Sequence, residues 1–271
     1  MSKPRICTTV FAALLATFGL SSCATNPDGK KIFNVVDSKQ LSAMGLSAFD
    51  EMKSKGKVSR DARLQGYVSC ITNKLIAELP NDFSRQEWEV VVFDDEAPNA
   101  FALPGGKVGV HSGLLSVAQT EDQLAAVIGH ELSHVTYQHG GQRVSTQLAL
   151  EAAGQVAQMY VGSKGEQRNP MLEAAIGVGG QVGVLLPFSR KHETEADRAG
   201  QVLMARAGYN PGEAATLWQN MMAQSNGAPP QWLSTHPNSE KRMERLSAQA
   251  PELQALAETA RSQGKGQACP R

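Results

Sequence analysis

Two histidines and a glutamate stand together at His130-Glu131-Leu132-Ser133-His134. On an α-helix that spacing is a metal-binding device. Positions four apart differ by about 40° in direction and about 6 Å in height, so the imidazoles of His130 and His134 point the same way. They can hold one Zn²⁺ through neutral ring nitrogens. Glu131 lies about 100° round the helix, close enough to act on a water without ligating the metal. Zinc lowers the pKa of a bound water to about 7 and polarises a peptide carbonyl. A carboxylate beside it takes the proton and hands it to the leaving amine. Leu124, Ala125, Val127 and Ile128 precede the motif and bury the helix. Two imidazoles and a carboxylate in that setting are costly without a metal. The competing explanation is a satisfied pair of core histidines.

A third ligand must come from elsewhere. Residues 189–198 (SRKHETEADR) open a second helix, on which Glu193 and Asp197 share a face, again at i and i+4. Glu193 is assigned to the metal. Asp197 is assigned a place behind it, orienting a histidine ligand through its other ring nitrogen. Glu195 points about 160° away from Asp197 and reads as a solvated charge. An ordinary acidic helix start explains Glu193 alone about as well, but not the pair in a chain that carries the zinc motif. His139, nine residues after His130, reads as facing the opposite side of its helix, serving structure or standing at the helix C-terminus. His111 ends a strand, and His192 points away from the Glu193 face.

These groups need a scaffold, and the pattern is helix-dominated α+β. Asp37 can cap a helix to about Lys55, and Leu64, Val68, Ile71, Leu75 and Leu79 mark the apolar face of a second. Residues 88–93 (WEVVVF), 99–103 and 107–111 read as strands, the last two joined by the turn Pro104-Gly105-Gly106. Thr120-Glu121-Asp122-Gln123 is a capping-box sequence that opens the zinc helix, expected to run to about His139. Helices are also expected over 144–160 and 170–186. The second is Ala- and Gly-rich, and a lid-like role is expected there.

Lys+Arg and Asp+Glu balance at 26 each, with no basic cluster among aromatics, so nucleic acid is not expected as a partner. The N-terminus has the layout of a secretory signal: Lys3 and Arg5, then an apolar run over 10–20, too short for a membrane span of roughly 20 residues. It ends in Leu20-Ser21-Ser22-Cys23, which resembles a lipobox. Residues 1–22 are therefore expected to be removed and Cys23 lipidated. A tether follows over 23–36, then one catalytic domain over 37–250 and a tail over 251–271. Ala24, by resemblance to bacterial sorting rules, points to the outer membrane facing the periplasm. Cys70 and Cys269 remain as an exported protein's candidate disulfide or as two unrelated thiols.

The chain resembles the HtpX/CAAX-protease-like family of zinc metallopeptidases, most closely its lipoprotein and periplasmic branch. The resemblance spans 88–246. It rests on Asn99-Ala100-Phe101-Ala102 with Pro104-Gly105-Gly106, Ser112-Gly113-Leu114, the His130–His134 motif and Glu193-Thr194-Glu195-Ala196-Asp197. Residues 24–86 and those after 246 carry no motif of it. The resemblance implies a gluzincin with its active-site helix beside a small sheet, and its E-x-x-x-D spacing favours Glu193 over Glu195 as ligand. It also puts Ala100, Phe101 and Ala102 near the sheet edge, where an extended substrate adds as a strand. The implied substrates are misfolded or misassembled envelope proteins. His236, in Ser234-Thr235-His236-Pro237, matches a histidine loop of that branch. It is a candidate fourth ligand that gates the metal or a donor to the oxyanion; otherwise the loop merely caps the next helix. A zinc-stabilised, chaperone-like or scaffold lipoprotein is the alternative function. Glu131 argues against it, since a purely structural site needs no general base and closes with four ligands.

Overall fold

The computed structural model describes residues 23–161, 188–223, 231–236 and 240–271. The expected targeting segment 1–22 and the expected lid helix 170–186 lie outside them. The described chain begins with an antiparallel hairpin, β1 (Cys23–Thr25) and β2 (Lys31–Phe33). Asn26 Oδ1 closes its turn by accepting from the Asp28 and Lys30 amides. The stretch read above as a polar tether is thus ordered. Asn34 donates to Gln138 Oε1 at 2.9 Å, and the Val35 amide donates to Ser145 Oγ at 2.9 Å. Strands of three residues bury too little to show a period of two in sequence; in β2 only Ile32 is buried.

Two helices follow, α1 (Ser38–Lys55) and α2 (Ala62–Ile76), capped by Asp37 and Asp61, whose carboxylates each accept two first-turn amides. The single turn α3 (Asn81–Ser84) leads to β3 (Glu89–Phe93), β4 (Ala100–Leu103) and β5 (Lys107–His111). Gly105 and Gly106 turn between β4 and β5 with φ of 89° and 76°, and a Cβ on Gly106 would strike Glu87 O at 2.0 Å. The sheet order is β3-β5-β4, with β5 parallel to β3 and antiparallel to β4. β4, carrying Ala100, Phe101 and Ala102, is therefore an outer strand.

Both faces of the sheet are covered. Alternation sends Val92, Ala100, Val108 and Val110 to an inner core with α2 and the zinc helix. Val91, Phe93, Phe101 and Leu103 turn instead to Phe49 of α1. Glu89 joins the outer layer to the sheet, accepting from Lys53 and Lys107 at 2.8 Å each.

A short 3₁₀ turn (Ser112–Ser116) leads to α4 (Glu121–Thr136). Thr120 caps it by accepting from the Gln123 amide, while Gln123 Oε1 reaches back to the Gln119 amide, one residue beyond the usual capping box. Every residue from Gln123 to Thr136 is buried. The helix ends three residues earlier than expected: Gln138 takes φ 55°, and α5 (His139–Val161) starts in a new direction. The remaining helices are α6 (Arg190–Arg206), α7 (Glu213–Ala223), α8 (Gln231–Thr235) and α9 (Glu240–Ser262). Residues 251–271, expected as a tail, continue α9 through Pro251. They then return to the core, where Cys269 is bridged to Cys70 with a Cα separation of 5.9 Å. The Cys269 amide also donates to Glu121 at the start of α4. Among the described residues no helix is long and apolar enough to cross a membrane.

Candidate metal centre

The site forms where α4 meets α6, and two glycines let the helices approach. A Cβ on Gly200 would stand 2.9 Å from the His130 amide nitrogen, and one on Gly129 would stand 3.2 Å from Gly200 O. That approach carries Glu193, one turn into α6, to the histidines of α4. His130, His134, Glu193 and His236 are all buried, and one ligand atom from each lies within 4.8 Å of the others.

Their separations fit one ion. His130 Nε2 is 3.0 Å from His134 Nε2 and 3.3 Å from His236 Nδ1. The Glu193 carboxylate lies 3.6 Å from His130 Nε2, 3.5 Å from His134 Nε2 and 3.1 Å from His236 Nδ1. A tetrahedral Zn²⁺ with bonds of about 2.0–2.1 Å needs ligand atoms about 3.3 Å apart. Three imidazoles and a carboxylate are also donors that zinc takes.

Each ligand is held from behind. His130 Nδ1 lies 3.0 Å from Asp197 Oδ1. Asp197 in turn receives both prongs of Arg242, at 2.7 and 2.6 Å. Arg242 also pairs with Glu193 and lies over the Trp218 ring, 4.1 Å from its centroid. Burial works to raise the Asp197 carboxyl, but the Arg242 charge outweighs it and brings it down to about 2. Burial likewise works to lower His130, and the Asp197 hydrogen bond and Glu193 charge raise it. His134 has no carboxylate behind it, so burial and the neighbouring His130 hold it far below the usual histidine range.

Glu131 sits beside the ligands rather than among them. Its Oε1 accepts from the Trp232 indole at 2.8 Å and lies 3.4 Å from His236 Nε2. Trp232 stacks on His236, and Phe188 stacks on both His134 and His236.

Two expectations need correction. His139 does not face away from the site, because the left-handed Gln138 ends α4 and swings it back. Its Nδ1 is 2.9 Å from His134 Nδ1, and burial pushes its pKa down to about 2. Glu195 is not a solvated charge: its side chain is only 14% exposed, and Oε2 lies 3.3 Å from His139 Nε2. His192 stacks on His139 without reaching the ligands, and His111 lies on the sheet beside Asp95. Trp232, Phe188 and the clamp role of Arg242 had no local signal in sequence. Gly200 had a weak one, as a glycine inside a helix.

Comparison with known proteins matches residues 62–250 to a family described as peptidase family M48. The mitochondrial metalloendopeptidase OMA1 of Schizosaccharomyces pombe is 38% identical over 71% of this chain and 55% of its own. The beta-barrel assembly-enhancing protease of Yersinia pestis is 30% identical over 75% of this chain and 42% of its own. That of Escherichia coli strain K12 is 27% identical over 89% of this chain and 51% of its own. The chain spans about half the length of these curated relatives. The matched span contains both halves of the ligand set, and α1 and the last turns of α9 lie outside it. With zinc-peptidase residues converging inside that span, the chain belongs to peptidase family M48.

Proposed function

We propose that the chain is a zinc-dependent metalloendopeptidase of the bacterial cell envelope that cleaves misfolded or misassembled proteins. The observation that carries the reading is the convergence of four buried ligand atoms with an unligating carboxylate, Glu131, at their side. His130, His134 and Glu193 would hold the ion. Bound there, Zn²⁺ supplies a Lewis acid for the peptide carbonyl and lowers the pKa of water. Glu131 takes the proton from the attacking water and returns it to the leaving amine, and the Trp232 indole fixes its rotamer. Asp197, clamped by Arg242, keeps His130 in the tautomer that presents Nε2.

Substrate enters as an extended strand along β4, where Ala100, Phe101 and Ala102 offer backbone groups. A cavity of about 60 Å³ beside that strand is lined by Leu41, Met44, Ala102, Val144 and Phe188 and reaches His134. It suits an apolar side chain of the peptide. His236 Nδ1, 3.3 Å from His130 Nε2 and 3.1 Å from Glu193, would complete a four-donor set, and an imidazole there would compete with the water that turnover needs. The substrate class rests on the names of the assembly-enhancing relatives. Anchoring rests on the lipobox-like Leu20-Ser21-Ser22-Cys23.

One experiment tests the reading. The purified chain is incubated with an unfolded protein, with and without a zinc chelator, beside a Glu131→Gln form. Cleavage should stop with chelator and fall about 10²–10⁴-fold in the variant, which keeps its zinc. Chelator-insensitive holding of the substrate without cleavage would favour the chaperone-like alternative. Expressed in bacterial cells, Cys23→Ser should move the chain out of the membrane fraction; retention of the variant there would remove the lipid anchor from the reading.

A further inference from the structure

The two ligand histidines are supported by different chemistry, and only one support follows from the metal motif. His134 cannot bind an ion through Nε2 unless its proton sits on Nδ1. What faces that Nδ1 is the Nδ1 of another histidine, His139, 2.9 Å away and completely buried. Between two such nitrogens one proton must lie, and its side decides whether His134 is a ligand.

The rest of the arrangement decides it. His139 Nε2 is 3.3 Å from Glu195 Oε2. An ionised carboxylate only accepts, so the proton of neutral His139 belongs on Nε2, pointing at Glu195. Its Nδ1 is then an acceptor, and His134 must donate to it from Nδ1–H. That leaves the His134 Nε2 lone pair aimed at His130 Nε2 and Glu193. The opposite assignment sets a lone pair of His139 against a carboxylate oxygen and puts a proton on the nitrogen that must ligate.

Backbone strain is spent on this placement. Gln138, with φ 55°, is the only non-glycine left-handed residue among those described. A residue with a side chain beyond Cβ rarely adopts that conformation. On an unbroken helix His139 would lie about 140° round from His134, out of reach. The Gln138 side chain is tied down by Asn34, the residue after β2, and His139 is fixed from its other side by the stacked ring of His192 at 4.3 Å.

We propose that His139 and Glu195 are a positioning pair that selects the metal-binding tautomer of His134. The inference rests on the metal-centre reading above, yet it can be read without the metal. In the metal-free chain, ring-nitrogen chemical shifts should show His134 as the Nδ1–H tautomer and His139 as the Nε2–H tautomer. Glu195→Leu, which removes the acceptor, should shift His134 toward Nε2–H. With metal, His139→Leu should weaken zinc binding about 10–100-fold in a chelator competition and alter the visible spectrum of the cobalt form. His139→Asn, whose carbonyl can accept in place of Nδ1, should restore most of that affinity. The proposal is overturned if His134 is Nε2–H in the wild-type metal-free chain, or if Glu195→Leu leaves both tautomers unchanged. It is equally overturned if the Asn variant binds no better than the Leu variant, which marks a packing role. A wild-type chain with the Nδ1–H tautomer and no zinc affinity would sink the metal reading and leave the tautomer assignment standing.

Discussion

The flank behind His130 sets a charged group directly against the ligand, and the flank behind His134 sets a neutral imidazole there first. On the first, Asp197 faces the imidazole and Arg242 grips Asp197 with both prongs while also pairing with Glu193. On the second, a buried neutral imidazole faces the ligand, and the carboxylate of Glu195 stands one residue further out. Both arrangements leave the inner nitrogen free to ligate, but they differ in what failure costs. A buried guanidinium is tolerable only while its carboxylates are present. A buried neutral histidine needs only a donor and an acceptor. The charged flank therefore couples metal binding to the stability of the fold, and the neutral flank couples it mainly to tautomer choice.

The largest expected effect tests which carboxylates belong where. Glu193→Ala should abolish zinc binding in a metal analysis of the purified chain. Glu195→Ala should weaken it by no more than about 10–100-fold, as a group acting through another residue. The reverse order would mean that the ligand and the outer carboxylate had been exchanged.

The next test goes to the cost of each flank. Arg242→Leu strands Asp197 and Glu193 as buried carboxylates and should destabilise the metal-free chain by about 3–5 kcal/mol in denaturant unfolding. His139→Leu removes one neutral hydrogen-bond partner and should cost about 1–3 kcal/mol. Equal losses would end the distinction between the flanks.

The smallest effect concerns His236, which both flanks present to the same ion. If its place as fourth ligand holds the enzyme latent, His236→Ala should raise the initial rate on an unfolded substrate several-fold. A fall of about tenfold or more in kcat would instead make it an oxyanion donor. An unchanged rate would withdraw it from the site.

The charged flank was half legible in sequence and the neutral flank was not, and the cause is the range of the signal. Glu193 and Asp197 lie four apart on one helix, so their common face follows from helical geometry alone. Asp197's partner, Arg242, lies 45 residues further along the chain, and no local rule connects them. His139 is misplaced by the helix repeat because a glutamine does not announce a left-handed residue, and a helix continued through Gln138 carries His139 to its far side. Glu195 reads as solvated because its direction away from Asp197 is all that the helix repeat offers; the buried His139 that it faces lies 56 residues away.

What the chain determines by itself is everything set by the repeat of one element. That covers the zinc pair and its base on α4, the carboxylate pair on α6, the strands and their turn at Pro104-Gly105-Gly106, and the caps of α1 and α4. Tertiary structure alone decided which elements meet: the Gly129–Gly200 contact that lets α6 deliver Glu193, the return of the C-terminus to bridge Cys269 with Cys70, and the indole of Trp232 on Glu131. Local periodicity fixes where a side chain points relative to its own helix axis. Which neighbour lies in that direction depends on how buried surfaces far apart in sequence pack together, and that is settled only when the core closes.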